Sequence, residues 1–322
     1  MMLRLCTGSR FDRLGHILWD HINTGGKRLR ARLALSAAEA LGLSRADAVG
    51  WAAACELLHN ASLVHDDLQD GDRRRRGREV VWVRHGVAQA INAGDLGLML
   101  PTSAIAQLPV SGETKWRLTQ TLSEGAQRVV RGQSAELDLH GREMPSWDDY
   151  AHAVGGKTSA LFSLPVEGAA ILAGLSEADA RALAEEFSPV GLLFQVQDDV
   201  LDLYGDKGRG EVGSDLREGK VSALVVEHLR LHPAEAPWLW RVLRTPREET
   251  TDHMVEETIQ RFSAGGALAS VWRRLAAMDD NITDSPTLNR HPRLHTLASE
   301  LVARALAPII QTNPHQMLRE WA

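Results

Sequence analysis

The sequence has 322 residues, of which 44% are hydrophobic and 24% charged, and these fractions are typical of a folded globular protein rather than a disordered or fibrous one. Lysine and arginine number 36 against 42 aspartates and glutamates, and a net charge of −6 argues against a nucleic-acid partner. There is no apolar run of membrane-spanning length, no secretion signal and no cysteine beyond Cys6 and Cys55, so we expect a cytoplasmic protein without an integral membrane segment.

Long stretches rich in alanine and leucine predict helices. The segments 31–43, 49–66 and 176–204 carry apolar residues at the three-, four- and seven-residue spacings of buried or amphipathic helices. Aromatic residues make up 5% of the chain and only two of them are tyrosines, which argues against a β-sandwich. We therefore expect an all-α protein.

Ser111 and Ser176 predict helix starts, and 279–295 predicts a surface loop because it lacks an apolar pattern. No composition shift divides the chain, so we expect a single domain over 1–322, with its motifs in about 25–220 and a helical remainder in 221–322. Glycine, proline and charged clusters predict breaks at 23–26, 70–79, 109–113, 140–146, 205–220 and 231–237.

Two copies of the pattern Asp-Asp-x-x-Asp follow apolar helical runs, in LVHDDLQD (63–70) and VQDDVLDL (196–203). Residues four apart share a helix face, so the first and third aspartates of each copy point the same way. A single copy arises by chance in about one chain in ten, whereas two such copies indicate a paired acidic site. Its carboxylates are those of Asp66, Asp67, Asp70, Asp198, Asp199 and Asp202.

Six carboxylates on two facing helices would repel one another without cations. Oxygen ligands without clustered cysteine or histidine favour Mg²⁺ over zinc. Because Mg²⁺ usually keeps several waters and completes its coordination with substrate phosphates, the implied ligand is a polyphosphate bridged to the aspartates by metal.

Cationic residues near glycine pairs or acidic motifs support an anionic ligand. Lys27 and Arg30 follow a glycine pair, Lys157 follows another, and four arginines begin three residues after Asp70. Lys220 lies 18 residues beyond Asp202. No GxxxxGK[ST] loop is present, which argues against an ordinary nucleotide-binding enzyme.

These residues, in this order, resemble the trans-isoprenyl diphosphate synthases (the polyprenyl synthetase family) from about Gly25 to Lys220. The resemblance implies an isoprenoid-synthase-type helical bundle around a central cavity, about three Mg²⁺ ions with diphosphate bound, and a homodimer. It implies a prenyltransferase that joins isopentenyl diphosphate to an allylic diphosphate (dimethylallyl, geranyl or farnesyl). The matching segments are GGKRLR, LHNASLVHDD, RRGR, GQ, GGKT and FQVQDDVLDLYGD.

Carried over residue by residue, the resemblance assigns two diphosphate sites. The homoallylic site, for isopentenyl diphosphate, takes Lys27, Arg30, His59 and Arg76. The allylic site takes Asp66, Asp67, Asp70 and Asp198 through Mg²⁺, together with Arg75, Lys157, Thr158, Gln195 and Lys220. Asp199 and Asp202 complete the second acidic face, and Asp202 is expected to be a metal ligand.

The sequence departs from the family pattern at three places. Ala31 occupies the position where the family usually has proline, and RRGREVV replaces RRGRPT. Gly210 stands where the family normally has a lysine, and either Arg209 or Lys207 could supply the missing charge.

Product length is partly readable from the helix that precedes Asp66. Ala61 and Ser62 are small where relatives that stop early commonly have an aromatic residue, so the tunnel stays open towards Leu58 and a C20 product, geranylgeranyl diphosphate, is expected. Met99 or Leu98 could form the floor. The alternative is that Ala61 merely permits close helix packing.

Other functions stay open at this stage. A farnesyl or longer-chain product, a class I terpene cyclase and an inactive regulatory subunit of a hetero-oligomeric synthase are alternatives. A second motif of the form DDVLD fits a synthase better than a cyclase, and squalene or phytoene synthases lack GGKRLR.

Overall fold

The computed structural model describes residues 1–8, 12–205 and 212–312. Within these residues the only strands form one short hairpin and helices make up most of the rest, so the predicted all-α class is confirmed. The helices are α1 (Met2–Cys6), α2 (Arg13–Ile22), α3 (Leu29–Ala40), α4 (Arg45–Gln69), α5 (Val81–His85), α6 (Val87–Ala106), α7 (Gly112–Leu139), α8 (Trp147–Val154), α9 (Ala160–Leu172), α10 (Glu177–Glu185), α11 (Ser188–Tyr204), α12 (Ser214–Arg217), α13 (Ala223–Leu231), α14 (Ala236–Leu243), α15 (Asp252–Ala264), α16 (Ala267–Thr283), α17 (Pro286–Asn289) and α18 (Pro292–Thr312). A π-helical turn (Gly155–Ser159), a 3₁₀ turn (Pro233–Glu235) and the strands β1 (Arg74–Arg75) and β2 (Arg78–Glu79) complete the described elements.

Serine caps explain where several helices begin. Ser44 and Ser146 form reciprocal capping boxes with Asp47 and Asp149, each aspartate side chain accepting from the cap backbone. Ser176 caps α10 as the sequence predicts, accepting a hydrogen bond from the backbone N–H three residues later. No described helix combines the length and apolar character that a membrane span requires.

The predicted surface loop at 279–295 is wrong, because this segment contains the end of α16, all of α17 and the start of α18. Ser285 caps α17, and Ile282, Leu288 and Leu294 are buried. Single apolar residues six apart were too sparse for the periodicity to show. The prediction of exposure holds better, since Asp280 and Asp284 are exposed.

The chain divides into two compact units. The first unit comprises 1–129 and 160–187, and the second comprises 130–159 and 188–322. The single domain predicted for 1–322 stays a prediction.

Helix α4 is central to the first unit, where it packs against α3, α6 and α9. Its Trp51 is fully buried and donates from Nε1 to the Pro165 carbonyl of α9 at 3.0 Å. Gly168 makes room for that indole, because a Cβ there would lie 1.9 Å from the ring. This packing fixes the direction in which α4 delivers the first acidic motif.

Helix α11 has the same role in the second unit, where it packs against α8, α13, α16, α18 and the π-helical turn. Its apolar residues Val190, Leu193 and Val200 are buried, as the predicted stripe requires. The predicted helical segment 176–204 is therefore two helices, α10 and α11, separated at 186–187.

Candidate active site

The first acidic motif occupies the last turn of α4 and its C-cap. Asp66 and Asp67 are buried, and Asp70 is half-buried at the cap, with its backbone N–H donating to the Asp66 carbonyl at 2.8 Å. Asp67 points to the following loop, where its Oδ1 accepts from Arg75 Nε at 2.6 Å. Burial raises the pKa of the Asp67 carboxyl to about 6, although Arg75 acts in the opposite direction.

The arginine-rich loop predicted at 70–79 forms a β-hairpin. Arg74 pairs with Glu79 and Arg75 with Arg78, and the two turn residues, Arg76 and Gly77, both have positive φ (53° and 76°). This is the backbone twist that two-residue hairpins require. Trp82 ties the hairpin to α4, because its Nε1 donates to the carbonyls of Asp67 and Asp72 at 2.9 and 2.7 Å.

The turn directs Arg76 onto the glycine pair before α3. Its guanidinium donates to the Gly25 carbonyl, and a Cβ on Gly26 would lie 2.6 Å from the guanidinium carbon. Gly25 and Gly26 have φ of 104° and 119°, which residues with a Cβ rarely adopt. The glycine pair thus lets the backbone wrap around Arg76, while Lys27 is exposed beside it.

His59 lies on α4 two turns before Asp66. It lies near Arg30, Arg75 and Arg76, which together with Lys27 and Arg28 are here called the cationic region. Burial, with the nearby charges of Arg30, Arg75 and Arg76, lowers its pKa well below the ordinary value, so the imidazole is neutral at pH 7. His21 on α2 shares this environment. Burial, Arg75, Arg76 and Arg28 lower its pKa from 6.5 to about 3.

Glu56 is the buried carboxylate beside Arg28 and Arg30, and it balances only part of their positive charge. Glu56, 3% exposed on α4, accepts from the Ala31 N–H at 3.2 Å and lies 3.7 Å from Arg28. Asn60 steadies it, donating to the Glu56 side chain at 3.2 Å. Burial lowers the pKa of Arg30 to about 10, which leaves it charged at neutral pH.

Several buried nitrogens in this region have no hydrogen-bond partner among the described residues. An unpaired buried donor costs about 1–3 kcal/mol, so nitrogens of this kind beside arginines are suited to binding an anion. They are His21 Nε2, Arg28 Nη1, Arg30 Nε and His59 Nδ1.

In the second unit, the second acidic motif is held by hydrogen bonds from protein donors. Asp199 Oδ2 accepts from Tyr150 Oη and from the Ala223 N–H, both at 2.7 Å, and its Oδ1 accepts from Gln195 Nε2 at 3.0 Å. Gln195 Oε1 in turn accepts from Thr158 Oγ1 at 3.2 Å. Thr158, Gln195 and Asp199 therefore form one network.

The Asp202 carboxylate also accepts hydrogen bonds from the protein. Its Oδ1 accepts from Ser214 Oγ at 2.6 Å and its Oδ2 from the Asp215 N–H at 3.0 Å, which ties α11 to α12. Asp198 is half-buried, whereas Asp199 and Asp202 are buried. The metal-ligand role predicted for Asp202 stays a prediction, and it would have to coexist with these two hydrogen bonds.

Lys157 and Lys220 each make an ion pair within the second unit. Lys157 Nζ lies 2.6 Å from Glu136 Oε2 of α7, and Lys220 Nζ lies 2.8 Å from Glu218 Oε2. The π-helical turn that carries Lys157 is packed closely, since a Cβ on Gly132 would lie 2.1 Å from the Lys157 backbone nitrogen. Lys207, Arg209 and Gly210, the candidates for the loop charge, lie outside the described residues.

The residues proposed to set product length lie on α4. Ala61 is fully buried against α6, where a Cβ on Gly97 would be 2.8 Å from the Ala61 Cβ, so this contact favours the helix-packing interpretation that the sequence left open. Ser62 is half-buried and donates to the His59 carbonyl at 2.8 Å, and Leu58 is buried. Met99 is 67% exposed and does not form a buried floor.

The donors present suit Mg²⁺. The described residues hold no cluster of three or more carboxylate, histidine or cysteine ligands that would enclose an ion. Mg²⁺ is usually bound by one or two carboxylates together with water and substrate phosphates, so an enclosing cage is not required. Asp67 Oδ2 is buried without a hydrogen-bond partner among the described residues, so this oxygen could bind a cation.

The sequence analysis missed several residues that shape these sites. Glu56 could have been found, since it is a lone acid within an apolar helical run and precedes His59 by one turn. The others carried no signal in the sequence, because most of their roles depend on contacts between distant segments and that of Asn60 depends on Glu56. They are His21, Arg28, Asn60, Glu136, Tyr150 and Ser214.

Comparison with known proteins identifies similar chains. A family model described as Polyprenyl synthetase matches residues 12–261, which include both acidic motifs. The short chain isoprenyl diphosphate synthase of Methanothermobacter thermautotrophicus is 34% identical over 249 residues, 76% of this chain and 75% of that protein. The geranylgeranyl diphosphate synthase of Methanosarcina mazei is 35% identical over 207 residues, which are 64% of each chain, so just under two thirds of that relative is matched.

A solved structure has the same fold. A crystal structure of a geranylgeranyl pyrophosphate synthase superposes with a TM-score of 0.86 and 25% sequence identity, covering 95% of both chains.

Proposed function

The chain belongs to the polyprenyl synthetase family of prenyltransferases, and we propose that it joins an allylic diphosphate to isopentenyl diphosphate in a Mg²⁺-dependent condensation. The products are a prenyl diphosphate five carbons longer than the allylic substrate, inorganic diphosphate and a proton. The observation that carries this proposal is the cationic region of the first unit, where buried nitrogens of His21, Arg28, Arg30 and His59 have no hydrogen-bond partner among the described residues, and where His59 lies on the same helix as the first acidic motif.

That cationic region is the proposed homoallylic diphosphate site. Arg30 and Arg76 supply fixed positive charge, and Lys27 supplies a mobile one from the exposed loop. The neutral His59 can donate one hydrogen bond to a diphosphate oxygen without adding another charge among the arginines. Together these groups hold the substrate so that its alkene is oriented for attack.

The allylic diphosphate is assigned to the acidic motifs and their neighbouring cations, following the family resemblance. Asp66, Asp67, Asp70, Asp198 and Asp202 are the proposed holders of Mg²⁺, with about three ions when diphosphate is bound. Bound Mg²⁺ would stabilise negative charge on the departing diphosphate. Arg75, Lys157 and Lys220 contribute to the same stabilisation from the protein.

The reaction follows from these roles. The allylic carbon–oxygen bond breaks, the resulting cation is attacked by the alkene of isopentenyl diphosphate, and one proton leaves to restore a double bond. In this family the departing diphosphate is the usual candidate for the base. Thr158 and Gln195 present oxygen atoms that can stabilise the cation, and no protein nucleophile is needed.

We propose geranylgeranyl diphosphate (C20) as the product. The small, half-buried Ser62 supports it, as does the similarity to geranylgeranyl diphosphate synthases. We also propose a homodimer in the cytoplasm. Support for the dimer comes from α6, where Val87, Ile91 and Met99 are 51%, 44% and 67% exposed at spacings that put them on one side of the helix.

The test is to incubate the purified chain with isopentenyl diphosphate, Mg²⁺ and each allylic diphosphate in turn, and to size the products. We expect a C20 product that is lost when Mg²⁺ is chelated, and an Asp66→Asn variant that folds but turns over at least about a hundredfold more slowly. Cyclic hydrocarbons would instead indicate a terpene cyclase. Activity that appears only with a second subunit would indicate a regulatory chain, and a near-normal rate for Asp66→Asn would contradict the mechanism.

A further inference from the structure

Tyr150 begins a hydrogen-bond network that the proposed reaction does not by itself explain. The residue is 2% exposed on α8, and its hydroxyl donates to Asp199 at 2.7 Å. Its ring packs against Trp147, with centroids 5.3 Å apart, and the Arg274 guanidinium covers the indole at 3.9 Å. The ring and the hydroxyl of Tyr150 are therefore both held in place.

The network has a fixed direction. A carboxylate can only accept hydrogen bonds, so Gln195 must present its NH₂ group to Asp199. The Gln195 carbonyl oxygen then lies on the other side, where it accepts from the Thr158 hydroxyl. Because an amide has a donor end and an acceptor end, the position of the Asp199 carboxylate decides which end faces Thr158.

Tyr150 is one of the groups that hold this carboxylate. Without its hydroxyl, Asp199 Oδ2 keeps the bond from the Ala223 N–H but loses the one side-chain donor at that oxygen among the hydrogen bonds described above. This weakens the hold on the carboxylate, and with it the hold on the Gln195 amide that donates to Asp199 Oδ1. Burial and the neighbouring Asp199 raise the pKa of Tyr150 well above its usual value, so the hydroxyl keeps its proton throughout the neutral range.

We propose that Tyr150 is a positioning residue: acting through Asp199, it fixes the Gln195 amide with its carbonyl oxygen towards Thr158, so that the negative end of the amide dipole stabilises the allylic cation. This inference rests on the proposed function, which assigns Thr158 and Gln195 to the allylic substrate. It gives Asp199 an orienting role distinct from metal binding. It also explains why a tyrosine is buried behind an acidic motif.

The chain supplies a matched control, because its other tyrosine also has a hydrogen-bonded hydroxyl. The Tyr204 hydroxyl donates to the Ile259 carbonyl at 3.0 Å and accepts from Ser263 at 3.1 Å, and neither of these bonds involves Asp199, Gln195 or Thr158. We expect Tyr150→Phe to lower kcat about tenfold or more while changing the KM for isopentenyl diphosphate less than about twofold, and Tyr204→Phe to leave both within about twofold. Thermal melting of both variants separates lost stability from lost turnover.

A double-variant comparison tests the route through Gln195. If Tyr150 acts by orienting that amide, Tyr150→Phe adds no further loss of kcat to Gln195→Ala, whereas Tyr204→Phe has the same small effect in either background. Asp199→Asn should reproduce the loss, since its NH₂ would oppose that of Gln195, and it provides the test if Tyr150→Phe does not fold.

Full turnover by Tyr150→Phe, or an undiminished loss in the Gln195→Ala background, would overturn this role. A wild-type chain that forms no prenyl diphosphate would overturn the proposed function and the inference with it. The two failures are distinguishable because the first requires an active wild-type enzyme.

Discussion

Two histidines among the arginines of the first unit show how the protonation of a side chain depends on its electrostatic surroundings. His21 and His59 lie among arginines, where a proton on either imidazole would be both desolvated and repelled. Both therefore serve as neutral groups at pH 7. A bound diphosphate would add negative charge beside the arginines, and this charge would oppose the lowering of the histidine pKa values.

The His21 environment makes stability depend on pH. Its folded-state pKa of about 3 lies below the unfolded value of 6.5, so its contribution is fully present above pH 6.5 and is lost as the pH falls. Between pH 6.5 and 5 this amounts to about 2 kcal/mol. Urea unfolding of wild type and His21→Gln in phosphate-free buffer, with His16→Gln at an exposed position of α2 as control, should show a weaker pH dependence only in the His21 variant. Parallel pH profiles for all three proteins would contradict this account.

Ser62 offers a cleaner test of product length than Ala61. A phenylalanine at 61 must fit where the Ala61 Cβ already meets α6, whereas Ser62 is half-buried and has more room. We expect Ser62→Phe to shift the product from C20 towards C15, Ser62→Ala to leave the product unchanged, and Ala61→Phe to lower the melting temperature as well as shortening the product. Chromatography of the dephosphorylated products decides. An unchanged product length in Ser62→Phe would remove residue 62 from this role.

At the scale of elements, the sequence predicts what depends on local pattern and misses what depends on distant contacts. The helical class, the capping of α10 by Ser176 and the position of the first acidic motif at the end of α4 are all confirmed, because each follows from residues close together in the chain. The family and the class of enzyme are confirmed for a related reason, since several spaced motifs are more specific than any one of them. The helices within 279–295 were missed because too few apolar residues mark them.

The π-helical turn shows the same limit. The sequence shows only that Lys157 and Thr158 follow a glycine pair, whereas the structure places both residues in a π-helical turn directly before α9. Gly132 on α7 and Gly191 on α11 allow this close packing: a Cβ at either glycine would lie within 2.4 Å of the turn's backbone. The importance of these two glycines is invisible until the helices are packed.

Gly132→Ala should therefore displace the π-helical turn. We expect a loss of about 1–3 kcal/mol in the free energy of unfolding, typical of overpacking, with a larger loss of turnover because Lys157 and Thr158 move together. Gly112→Ala on the same helix is the control, since a Cβ there meets nothing within 4 Å. Denaturant unfolding and kcat for both variants provide the measurement. Equal behaviour of the two variants would show that the turn tolerates the extra atom.

At the scale of the whole molecule, the exposed apolar stripe on α6 predicts self-association. Single exposed apolar residues are common, but three on one side of a helix indicate a contact surface. Light scattering coupled to size exclusion should give a dimer for wild type and a monomer for Ile91→Glu/Met99→Glu. Val49→Glu, at a 41% exposed position of α4, is the control and should stay dimeric. A monomeric wild type, or a double variant that stays dimeric, would contradict the proposed dimer.

The two acidic motifs proposed to bind one diphosphate lie in different compact units of the chain. Asp66 belongs to the first unit and Asp198 to the second, so each can be altered without touching the contacts that hold the other unit together. A ligand that binds the folded state raises the free energy of unfolding by about 2.7 kcal/mol at a hundred times its Kd. If inorganic diphosphate with Mg²⁺ requires both motifs for binding, it no longer raises the melting temperature of Asp66→Asn or of Asp198→Asn. The double variant then behaves like either single variant. Two independent sites would instead leave a partial shift of the melting temperature in each single variant and abolish the shift only in the double variant.

The measurement needs no substrate turnover. Repeating it without Mg²⁺ separates metal-bridged binding of the diphosphate from its direct attraction to the arginines.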